Sequence, residues 1–62
     1  MIALHRPNGH PIVVNADLIE TVESDDEGAT VVNLTTGNVL AVTETPELVM
    51  QAALAYRLSI AR

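Results

Sequence analysis

The chain opens with an alternation, Ile2 and Leu4 set against His5 and Arg6. A period of two places alternate side chains on one face of a strand, so residues 2–6 read as a half-buried strand. Pro7-Asn8-Gly9-His10 follows as a hairpin turn. Asn8 and Gly9 are residue types that tolerate the positive φ of a type I′ turn, which is the expectation for this loop. The return strand covers 11–15 and starts at Pro11, an imino acid that sheets accept at a strand's first residue or on an edge.

Asn15-Ala16-Asp17 reads as a tight connection, because short amide and carboxylate side chains bond their own backbone two residues on. A third strand is expected over 18–24, with a less regular pattern. Leu18 and Ile19 are adjacent, and Val22 shares parity with Leu18 and Glu20, which points to a bulge or twist. Ser24-Asp25-Asp26-Glu27-Gly28 is read as a solvated loop separating two hairpins. Strands over 29–34 and 38–43 flank Thr35-Thr36-Gly37, where glycine supplies the turn. Thr45-Pro46-Glu47 then opens a helix running to about residue 60. Thr45 is a capping type, Pro46 fits the first turn, and Glu47 suits the positive end of the dipole. Arg57 and Arg62 suit its C-terminal end.

At about 100° per residue the helix carries two apolar stripes. Val49, Ala52, Ala53, Tyr56 and Ile60 form one, while Met50, Leu54, Leu58 and Ala61 form the other, with Arg57 between them. The first stripe is expected to cover the sheet face built from Ile2, Leu4, Ile12, Val14, Val32, Leu40 and Val42. Burying a leucine is worth roughly 1.5–3 kcal/mol, so Met50, Leu54 and Leu58 also call for a cover. Two accounts compete: a strongly curved sheet wraps both stripes, or a second chain covers the outer one. We take the second, and expect a homo-oligomer with Met50, Leu54, Leu58 and Arg57 at its interface.

The fold class expected is therefore α+β and mainly β: a single domain over 1–62, with a small five-stranded antiparallel meander or partly closed barrel followed by one C-terminal helix. Composition sharpens this. A chain of 62 residues holds one small core, and it has no cysteine for a disulfide or a thiolate metal site. A partner subunit is the remaining support. A net charge of −5 with three cations does not suit a phosphate backbone, so no nucleic-acid partner is expected. No signal peptide and no membrane-inserted segment are read from the pattern, since the apolar stretch from Leu48 to Ile60 is too short to span a bilayer.

Candidate chemistry is sparse. The acidic series Asp17, Glu20, Glu23, Asp25, Asp26 and Glu27 does not have the spacing of an EF-hand loop and reads as a solvated edge and loop. His5 and His10 flank the first turn, and one reading has them face each other across the hairpin as the start of a metal site or a general base. Surface histidines are the simpler reading. No nucleophile elbow or phosphate loop is present, so neither an enzyme nor a cofactor is expected.

Leu4-His5-Arg6-Pro7-Asn8-Gly9, then Asn15-Ala16-Asp17-Leu18-Ile19-Glu20-Thr21-Val22-Glu23, then Leu34-Thr35-Thr36-Gly37 resemble, in order, the opening turn, central segment and later turn of the FlbD family, also called SwrD. The resemblance spans essentially the whole chain and marks Asn8, Gly9, Asp17 and Gly37 as family-motif turn residues. It implies a non-catalytic role in bacterial flagellar motility and swarming, connected with motor power and the stator units. It also implies a cytoplasmic protein, peripheral at the motor, whose partner is a motor or flagellar-assembly protein. The alternative weighed is a small oligomeric regulatory nucleic-acid-binding protein; a weak metal-dependent hydrolase formed at a subunit junction is a third.

Overall fold

Each of the chain's three glycines closes a hairpin. A computed structural model describes residues 1–60 and shows β1 (Ile2–His5), β2 (Pro11–Val14), β3 (Ile19–Ser24), β4 (Thr30–Leu34), β5 (Val39–Val42) and α1 (Pro46–Ile60). At the first turn the Gly9 N–H donates to the Arg6 carbonyl at 2.8 Å, and the Arg6 N–H donates to the His10 carbonyl at 2.9 Å. The same pair of bonds recurs from Gly28 to Asp25 and Asp25 to Ala29, and from Gly37 to Leu34 and Leu34 to Asn38. The glycines sit at φ of +88°, +84° and +94°, while no other described residue has a positive φ.

These are three-residue loops with a left-handed glycine last, not the type I′ turn expected at Asn8-Gly9. The reason lies in Pro7. Proline has no N–H to pair with His10 and its φ is fixed negative, so the closing pair moves outward to Arg6 and His10. Asp25 likewise shapes its turn: its Oδ1 accepts from the N–H groups of Glu27 at 2.9 Å and Ala29 at 2.8 Å. The segment read as a spacer between hairpins is therefore itself the turn joining β3 to β4.

The strands form two antiparallel sheets, β1-β2 and β3-β4-β5, instead of one meander or barrel. Chain direction explains the split. After Val42 the backbone bends toward the helix, leaving one backbone bond between the sheets there, from the Thr43 N–H to the His5 carbonyl at 2.9 Å. Pro11 further removes a donor from β2. Between the sheets, Ala16–Leu18 makes one turn of 3-10 helix, and the Asn15 side chain accepts from the Asp17 N–H at 3.0 Å. Leu18, expected in the third strand, belongs to this turn.

The irregularity in β3 is a bulge. Ile19 pairs with Leu34 and Thr21 with Asn33, which makes Glu20 the extra residue. The bulge brings Ile19 and Val22, three positions apart, onto the side packed against the core. On the other face the Asn33 side-chain amide donates to Thr21 Oγ1 at 3.0 Å and Glu23 Oε1 at 3.2 Å, a polar ladder. The core consists of Ile2, Leu4, Val14, Ala16, Val32, Val42 and Val49, with Ile12 and Leu40 packed against it. All seven sheet residues assigned to the core face thus lie there.

Candidate interaction surface

The helix begins as its sequence dictates. Thr45 Oγ1 accepts from the Leu48 N–H at 3.2 Å, and the Thr45 carbonyl accepts from the Val49 N–H at 3.0 Å. Capping fixes the helix phase, and with it the face turned to the sheets. Val49 is completely buried; Ala52, Ala53 and Tyr56 are half-buried beside it. The helix packs against β3, β1 and the 3-10 turn.

The other stripe is left largely uncovered. Met50, Leu54 and Leu58 expose 65%, 58% and 62% of their surface, so no curved sheet wraps them. Ile60, assigned by period to the inner stripe, is exposed as well: burial along that stripe ends at Tyr56, and residues 57–60 are all exposed. Ala61 and Arg62 fall outside the described residues.

Two recesses adjoin these elements. The first, about 370 Å³, lies between β3 and the helix, with Ile19, Val22 and Ala53 at its walls, Met50 and Leu54 on the rim, and Glu20 and Arg57 among its lining. The second, about 420 Å³, lies between β2 and β5 and is lined by Ile12, Val14, Leu34 and Leu40, with Val13, Val39 and Arg6 beside it. Both are open to solvent; the first is mainly apolar, while the second is lined about equally by polar and apolar surface.

His5 and His10 do not meet. His5 lies opposite Pro11, and its imidazole Nδ1 is 2.7 Å from Glu44 Oε2, while the His5 N–H donates to Glu44 Oε1 at 2.9 Å. Partial burial acts to raise the Glu44 pKa, but the bonds from the His5 ring and backbone outweigh it and hold the carboxyl below its ordinary range. Sequence reading missed Glu44, since the contact spans 39 positions and leaves no periodic trace. Among the described residues no three His, Asp or Glu side chains gather as a metal site would require. The turn residues are structural: Asn8 Oδ1 accepts from the His10 N–H at 3.0 Å, Asp17 belongs to the 3-10 turn, and Gly9 and Gly37 occupy the left-handed positions.

Residues 1–61, nearly the full length of this two-sheet, one-helix chain, match the family model FlbD, described as flagellar and swarming motility proteins. The chain belongs to the FlbD family. No curated protein and no solved structure matches it. Membership connects the chain with flagellar or swarming motility. In this FlbD protein the outer helix face sets three exposed large apolar side chains, Met50, Leu54 and Leu58, along one stripe. No described helix is long and apolar enough to cross a membrane.

Proposed function

We propose that this FlbD protein is a non-enzymatic interaction module that self-associates through the outer face of its helix and, as an oligomer, supports the power of the flagellar motor from its cytoplasmic side. The observation that carries this reading is the exposure of Met50, Leu54 and Leu58 on a capped helix whose other stripe, from Val49 to Tyr56, packs on the core.

Electrostatics favours a protein partner. The turn Asp25-Asp26-Glu27 and the neighbouring Glu23 present negative charge, which would steer a basic protein surface and repel nucleic acid. The test is motor output in the host bacterium after deletion of the gene, complemented with the native chain or with Leu54→Asp at equal level. The reading expects swimming torque to fall on deletion and to return only with the native chain. Unchanged torque on deletion removes the motor role; full rescue by Leu54→Asp removes the helix face from it.

A further inference from the structure

We propose that the groove between β3 and α1 is one half of a two-fold interface with a second copy of this chain, in which Glu20 of each subunit pairs with Arg57 of the other. The inference rests on the self-association reading above and specifies its geometry.

The argument starts with charge. Two copies of a chain with net charge −5 repel one another, so a face on which they meet must be locally neutral or self-complementary. The acidic turn at Asp25-Asp26-Glu27 is neither. The β3–α1 groove carries one anion and one cation, Glu20 and Arg57, over an apolar wall of Ile19, Val22 and Ala53. Both charged residues are exposed, and the only ion pair among the described residues is His5–Glu44. They line one groove without closing on each other.

A two-fold axis can use such an arrangement. In an isologous interface residue i meets j while j meets i, so one solvated anion and one solvated cation per groove become two reciprocal pairs. The bulge supplies an independent reason for Glu20 to be the anion. As the extra residue of β3, it is released from the alternation that binds its neighbours to the ladder. The groove also runs into the outer helix face through Met50 and Leu54, which belong to both. Apolar contact and charge pairing therefore lie on one continuous surface.

Charge reversal tests the reciprocity. Glu20→Arg alone sets two cations against each other at both symmetry-related positions, and Arg57→Glu alone sets two anions. Each variant is expected to dimerise at least about tenfold more weakly than the native chain, given the cost of juxtaposed like charges. Mixed in equal amounts, they should associate again as a heterodimer: the new cation of one faces the new anion of the other, and native Arg57 faces native Glu20. Sedimentation velocity reads the association, native mass spectrometry the heterodimer, and far-UV circular dichroism the fold. The neutral variants Glu20→Gln and Arg57→Gln, read alongside, should each weaken association, by less than the reversals do.

Native-like association of the single reversals, with no change in the neutral variants, overturns the proposed pairing while self-association stands. Single variants that stay monomeric when mixed overturn it too, because their charges are then not reciprocal. A native chain that is monomeric at every concentration removes the self-association reading, and this inference with it.

Discussion

Val49 and Leu58 lie on one helix, nine residues apart, and the fold treats them in opposite ways. Val49 is fully buried in the core, whereas Leu58 exposes 62% of its surface. The inner stripe couples the helix to a core of seven apolar side chains, so any loss there is a loss of the whole fold. The outer stripe contributes little to a single chain. Its apolar groups gain burial only when another surface arrives, and that division separates folding residues from interaction residues along one element.

The comparison breaks most visibly at the core. Leu4, 1% exposed, lies beneath the helix, and Leu4→Ala should cost about 2–5 kcal/mol. A domain this small has roughly 3–5 kcal/mol to lose, so urea denaturation followed by circular dichroism should show a largely unfolded chain at 25 °C. A cost below about 1 kcal/mol would place the core elsewhere. Next comes the turn glycine: Gly28→Ala meets open space but must hold φ near +84°, for an expected loss of about 1–2 kcal/mol. Thr45→Ala removes the cap that sets the helix phase, at about 1 kcal/mol. All three act on the inner side of the comparison and should lower stability without altering the outer face.

The smallest effect is a pH dependence. Glu44 has a folded pKa below its unfolded one, so its contribution is present at neutral pH and is lost as pH falls through the acid range below the ordinary carboxylate value. Glu44→Gln should lower neutral-pH stability slightly and flatten the acid limb of a stability–pH profile. An acid limb identical in both proteins would mean that the His5–Glu44 contact is not coupled to folding.

How far the sequence reached can be judged element by element. The helix was legible because Thr45-Pro46-Glu47 states its start chemically and a 3.6-residue period states its faces. The exposed stripe was legible for the same reason. Ile60 was misassigned because periodicity gives a residue's angle around a helix and not how far along it burial extends, and burial ends at Tyr56. The turn at Asn8-Gly9 was placed correctly but typed wrongly, since the missing N–H of Pro7 outweighs the preference of Asn-Gly for a two-residue loop. Strand count was readable from alternation and glycine; the division into two sheets was not, because it depends on the backbone bend after Val42. The bulge was anticipated from the clash of parities among Leu18, Ile19 and Val22, yet only pairing with β4 assigns Glu20 as the extra residue. Glu44 left no local signal at all.

The most direct test of the division between the two helix faces is a sedimentation-velocity concentration series on the native chain and on Leu54→Asp, each paired with a urea melt at a concentration where both are monomeric. We expect the native chain to associate as concentration rises, and Leu54→Asp to remain monomeric with a monomer stability within about 0.5 kcal/mol of native. A native chain that stays monomeric throughout, or a Leu54→Asp chain that unfolds, would contradict the assignment of the outer face to a partner.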